Sequence, residues 1–198
     1  VCQESKALRW DDGYVLLEHV RSHYQNMYFM VNPYEVPPPR DMCMYLENTL
    51  QICDGYRPIY HEMSVHYAAR YVETVRRVLW VGGGDSMLLH EILKYPSLEL
   101  AVGLELDQTV TRKSFQYFGS QPHWDDPRVE WWYGDASHSL QMLPSSYFGS
   151  FDLVLVDLSE TIMSNTVTEG LEILEAGSRR LQERSRGLRK ALTKLRTN

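Results

Sequence analysis

Four short apolar runs in this chain of 198 residues lead into carboxylates. Residues 77–81 open into Gly82-Gly83-Gly84-Asp85, and residues 98–106 carry Glu105 near their end with Asp107 behind it. Residues 129–133 are followed by Gly134-Asp135-Ala136, and residues 151–156 by Asp157. Taken singly, each acid reads as well as a helix cap or solvated turn as it does as a ligand-binding group. Gathered on one rim, four like charges repel unless a cationic ligand relieves them.

The glycine-rich first turn suggests a nucleotide, but not a phosphate. The dinucleotide fingerprint fails because Gly82 and Gly84 are followed by Asp85, Ser86 and Met87 rather than a third glycine. Asp85 would also set a second anion against a pyrophosphate at a helix N-terminus. No Gly-Lys-Ser/Thr follows, which excludes a P-loop. An S-adenosyl sulfonium nucleoside fits better, since it carries a cationic sulfur and an ammonium but no phosphate. Glu105 is placed to accept both ribose hydroxyls, as an acid does in related sheets, and Asp135 to accept the exocyclic adenine amine. At this level the pattern is that of a generic methyltransferase-like protein.

The elements that must position these acids follow from periodicity. Apolar strands alternate with helical stretches at 87–95 and 108–118, the second stopped by Gly119. That alternation predicts an α/β fold with a Rossmann-like, methyltransferase-type, mostly parallel sheet, whose ligands bind beyond the carboxyl ends of the strands. Before it, residues 14–20, 27–31, 43–46 and 49–52 are rich in β-branched and aromatic residues and separated by turn formers such as Asn32-Pro33 and Asp54-Gly55. They predict a small N-terminal β-hairpin domain. From 61 to 75 the period turns helical, with Val65, Ala68, Ala69, Val72 and Val75 near one face. The expected division is a hairpin domain over 1–60, a nucleoside-binding domain over 61–176 and a C-terminal helix over 177–198.

Composition is globular, with 43% hydrophobic and 23% charged residues. The net charge of −6 disfavours nucleic acid as a partner. Residues 178–198 hold eight Arg/Lys against one acid, Glu183, with Leu181, Leu188, Leu192 and Leu195 on one side. Such a basic amphipathic helix packs on the body or docks a protein partner or a membrane surface. No segment approaches the ~20 apolar residues of a membrane span. Three cysteines, Cys2, Cys43 and Cys53, make no framework and suit a reducing compartment, with Cys43 and Cys53 as packed thiols. A soluble intracellular protein is expected, in the cytoplasm or in an organelle after removal of a leader. His61 and His66 lie five apart, diverging by about 140° on a helix, so no zinc face and no metal are expected.

A closer resemblance runs through the residues in order. Leu50-Gln51-Ile52-Cys53-Asp54-Gly55, Tyr60-His61-Glu62-Met63, Val78-Leu79-Trp80-Val81-Gly82-Gly83-Gly84-Asp85, Leu104-Glu105-Leu106-Asp107, Gly134-Asp135-Ala136 and the run from Phe151 to Asp157 resemble the spermidine synthase (polyamine aminopropyltransferase) family. Ser22-His23-Tyr24-Gln25-Asn26 looks like that family's entry strand, so the likeness spans roughly residues 10 to 160. The resemblance implies that Gln25, His61, Asp85, Glu105, Asp135 and Ala136, with the Gly82–Gly84 turn, hold decarboxylated S-adenosylmethionine as co-substrate. It further implies Asp157 as the acid receiving the attacking amine's proton, Tyr60 lining the site, and a diamine such as putrescine as acceptor. Glu160 stands where the family has a second aspartate, and the proline-containing gate beyond it is replaced by residues 161–164. The family dimerises through its hairpin domain, so a homodimer or a place in a larger assembly is expected. After Asp157 the family continues with further strands, so the sheet reads as incomplete at its C-terminal side. The alternatives are a non-catalytic subunit of the same fold docked in a larger assembly and, third, an S-adenosylmethionine-dependent methyltransferase.

Overall fold

The computed structural model describes residues 14–32, 42–54 and 57–158. Glu160, the stretch 161–164 and the basic segment 177–198 lie outside the described residues. Two four-stranded sheets make up the described part.

The first sheet is an antiparallel meander of β1 (Val15–Arg21), β2 (Asn26–Val31), β3 (Met42–Leu46) and β4 (Thr49–Cys53). Alternation decides its two faces. Met27, Phe29, Met44 and Ile52 turn to one side and pack against Met87, Val110 and Phe118 of the helices beneath. Lys113 and Tyr117 both reach Glu18 of β1 at 2.7 Å, so the small sheet is seated on the larger fold by polar as well as apolar contacts. Met30, Cys43, Tyr45 and Cys53 cluster on the opposite side.

One expectation is corrected there. Cys43 and Cys53 are direct register partners across β3 and β4, with Cα atoms 4.1 Å apart, and they form a disulfide rather than two packed thiols. Their separation of ten residues carries no framework signal. Strand pairing alone brings them together.

The second sheet is parallel, ordered β7-β6-β5-β8, with β5 Arg77–Gly82, β6 Leu100–Glu105, β7 Val129–Tyr133 and β8 Leu153–Asp157. Both faces of β5 and β6 are covered, which is why these strands read as unbroken apolar runs. Val78, Trp80, Ala101, Leu153 and Leu155 pack on one side with Val65, Leu88, Leu89 and Ile92. Leu79, Val81, Val102 and Leu104 pack on the other with Leu140, Leu143 and Phe151. Among the described residues β7 and β8 are the two edges, and Val156 of β8 is exposed.

The helices differ from the periodicity in three places. The stretch expected at 61–75 begins earlier, as α1 (Arg57–Glu62), and widens into one π-helical turn, Met63–Tyr67, before ending. Helix α2 (Met87–Ile92) closes short of Tyr95 because Pro96 disfavours a continuing helix, and Lys94 and Tyr95 instead bond three residues back. A short helix α4 (Ala136–Met142) follows Asp135 and was not foreseen. Helix α3 (Gln108–Phe118) has the expected bounds, ending on Gly119 at φ 66°.

Candidate active site

The carboxyl ends of the parallel strands meet at one rim, and its backbone is built for close approach. Gly82 has φ 80°, and a Cβ there would lie 1.8 Å from the carbonyl oxygen of Asp157. A Cβ on Gly84 would lie 2.7 Å from Oε2 of Glu105. These two glycines therefore let β8 and the Glu105 side chain press against the turn.

Asp85, Glu105, Asp107 and Asp135 are each held by an early amide of the segment that follows. Asp85 Oδ1 accepts from the Met87 amide at 3.0 Å, and Glu105 Oε1 from the Asp107 amide at 2.8 Å. Asp107 Oδ1 caps α3 through the Thr109 amide at 2.9 Å, and Asp135 Oδ1 caps α4 through the Ser137 amide at 2.7 Å. Capping and site-building are thus done by the same side chains. Helix α1 adds two groups from the other wall. Tyr60 donates its hydroxyl to Asp157 Oδ1 at 2.8 Å, and His61 Nε2 lies 3.3 Å from Asp85 Oδ2.

The electrostatics single out Glu105. Burial pushes its carboxyl up to about 7, with the charges of Asp107, Asp85 and Asp157 adding to the rise and the Asp107 amide opposing it. Asp157 is likewise raised by burial and by repulsion from Asp85, against the Tyr60 hydrogen bond and the attraction of His61. Tyr60 is raised by burial and by the Asp157 charge, which keeps it a hydrogen-bond donor. Asp135 is lowered by its hydrogen bonds to Ser137.

Of the residues expected from the sequence, Tyr60, His61, Asp85, Glu105 and Asp157 converge, around the Gly82–Gly84 turn. Gln25 joins through Asp107, donating from Nε2 to Oδ2 at 3.4 Å. Asp135 is exposed and stands with Ala136 at the end of β7. Asp107 carries more than its place in the motif suggested, being 2% exposed and tying the β1–β2 turn to the rim. Beside it runs a groove of about 250 Å³ lined by His23, Tyr24, Leu106, Asp107, Tyr133 and Gly134. Among the described residues no group of three or more His, Cys, Asp or Glu could hold a metal ion, and no helix is long and apolar enough to cross a membrane.

A parallel sheet of this order with an acidic rim and a glycine turn defines a methyltransferase-like α/β fold. The solved spermidine synthase of Thermotoga maritima superposes with a TM-score of 0.68 at 23% identity, over 84% of this chain and 52% of that one. A spermidine synthase in complex with the transition-state analogue AdoDATO superposes with a TM-score of 0.70 at 24% identity, over 84% and 54%.

The chain belongs to the spermine/spermidine synthase family, whose domain matches residues 57–183. The polyamine aminopropyltransferase of Thermoanaerobacter sp. (strain X514) is 36% identical over 118 residues, 59% of this chain and 41% of that protein. That of Alkalilimnicola ehrlichii is 38% identical over 114 residues, 57% of this chain and 38% of that protein. The chain spans about two fifths of the length of the curated relatives it matches.

Proposed function

We propose that this protein transfers an aminopropyl group from decarboxylated S-adenosylmethionine to a diamine such as putrescine. The observation that carries the reading is the convergence of Asp85, Glu105 and Asp157 with Tyr60 and His61 on one rim. Lys94, Lys113 and Arg128, by contrast, pair with Glu91, Glu18 and Asp126 elsewhere. A site with that charge favours a ligand carrying a sulfonium and an ammonium.

In this reading Glu105 accepts the ribose hydroxyls, the groove by Leu106 and Gly134 takes the base, and Asp135 with Ala136 meets its edge. Asp85, held by His61, faces the donor's ammonium and disfavours the carboxylate of ordinary S-adenosylmethionine. The acceptor arrives as a cation, since an alkyl amine titrates near 10.4. Asp157 binds it, orients it and takes its proton as the new C–N bond forms. The burial that raises Asp157 makes it a stronger base for that step, and general-base catalysis of this kind contributes roughly 10²–10⁴-fold. Tyr60 fixes the carboxylate's orientation.

Calorimetric titration with decarboxylated and ordinary S-adenosylmethionine tests the reading. Preference for the decarboxylated donor supports it. Preference for the ordinary one points to methyl transfer, and binding of neither points to a non-catalytic subunit.

A further inference from the structure

We propose that Glu105 sets which nucleoside the site retains: the empty site keeps a proton on its carboxyl, and a cationic sulfonium nucleoside, far more than its neutral thioether product, drives that proton into solvent. This rests on the donor being the sulfonium nucleoside of the preceding section.

The geometry surrounds Glu105 with acids. Asp85 faces it from the β5–α2 turn, Asp107 from the turn after its own strand and Asp157 from β8. Tyr133 of β7 senses its charge from the side. The groups of α1 are engaged elsewhere, Tyr60 on Asp157 and His61 against Asp85. Gln25 faces Asp107 rather than Glu105. Among the described residues only the Asp107 amide, at 2.8 Å, favours the charged carboxylate, while the close wall at Gly84 and 7% exposure keep water from doing so. Below about pH 7 a carboxyl so placed keeps its proton until a positive ligand arrives.

Chemistry then removes that positive charge. The amine nitrogen attacks the carbon attached to sulfur, the C–N bond forms, and the C–S electron pair goes to sulfur as a neutral thioether. The amine's proton passes to Asp157. Glu105, no longer opposite a cation, takes a proton back from solvent. Donor and product share the ribose hydroxyls that Glu105 meets, so the sulfonium and ammonium account for the difference in grip.

Calorimetry of the wild-type protein in phosphate and in Tris, whose ionisation heats differ, counts the protons released. With the carboxyl titrating at about 7, donor binding releases about three quarters of a proton at pH 6.5 and about a tenth at pH 8, and its affinity rises about tenfold from pH 6 to pH 8. The neutral 5′-thioether nucleoside releases clearly less. Glu105→Gln binds the donor with no such release. Equal release by donor and thioether, donor heats independent of buffer, or release that survives in Glu105→Gln would each overturn the proposal while leaving the donor reading intact. Absence of donor binding at every pH overturns both. Should Glu105→Gln not fold, the wild-type difference between donor and thioether decides.

Discussion

Two buried glutamates, one on a helix and one at the end of a strand, have opposite surroundings. Glu91, on α2, is 1% exposed, and Glu105, at the end of β6, is 7% exposed. Lys94 Nζ donates to both oxygens of Glu91 at 2.7 Å, and His66 Nε2 meets Oε2 at 2.8 Å while its Nδ1 meets the Tyr95 hydroxyl at 2.7 Å. Burial alone would push Glu91 up, but Lys94 and His66 outweigh it and hold the carboxyl below its ordinary value. Glu105 has one amide and three acids, and moves the other way. A buried acid supplied with cations is complete within the fold, whereas one left among other acids is completed by a ligand.

Changing one residue on each side separates the two surroundings. On the rim, Asp157→Asn should lower aminopropyl transfer to putrescine by roughly 10²–10⁴-fold while donor affinity, measured calorimetrically, stays within a few-fold. Loss of donor binding with turnover would count against Asp157 as the proton acceptor.

On the far side, Glu91→Ala should cost about 2 kcal/mol of folding stability. That is below the range for breaking a fully buried pair, because His66 and Lys94 are 40% and 44% exposed and recover hydration. For a chain of this size the melting temperature should fall by about 4–8 °C. A change of less than a degree would show the cluster to be ornamental.

The pH dependence of stability should run in opposite directions at the two sites. Glu91 is lowered in the folded state, so its contribution is present above the ordinary glutamate value and is lost as pH falls below it. Glu105 is raised, so its contribution is full below pH 4.5 and is lost as pH climbs to about 7. Denaturant unfolding of wild type and Glu105→Gln from pH 5 to pH 7 should therefore diverge, with the wild type losing more stability across that window than the variant, in which the raised Asp157 remains. Parallel curves would mean that Glu105 is charged in the empty site after all.

How much of this was legible in the sequence depends on the range of the contact. The parallel strands were, because burial on both faces leaves unbroken apolar runs and their ends collect polar turn residues. Helix α3 was, because Asp107 and Gly119 bracket it chemically. Helix α4 was not, since Ser137, His138 and Ser139 favour turns locally and only the Asp135 cap and Leu140 in the core hold them helical. The Glu91 cluster joins residues 25 apart, and the Cys43–Cys53 disulfide depends on strand register. Neither is written in local spacing. The acids of the rim could be listed, but which of them is starved of hydrogen bonds could not, because that is fixed by how closely Gly84 lets the backbone approach.

Helix α2 links the two glutamates' surroundings, with Asp85 just before its start and Glu91 near its end, and Ser86 at the junction gives the smallest expected effect. Its φ of 67° is left-handed, a region that favours glycine. It is 1% exposed, and its Oγ has no hydrogen-bond partner among the described residues. Ser86→Gly relieves about 1–2 kcal/mol of backbone strain and about 1–3 kcal/mol of unsatisfied hydroxyl, against roughly 1 kcal/mol of added chain entropy. At the low end of those ranges the net gain is about 1 kcal/mol, or a rise of about 2–4 °C in melting temperature. Donor affinity should not change, because the Asp85 and Glu91 contacts on either side survive. If affinity falls while stability rises, the hydroxyl touches the donor, and the strain at Ser86 belongs to the rim rather than to the helix.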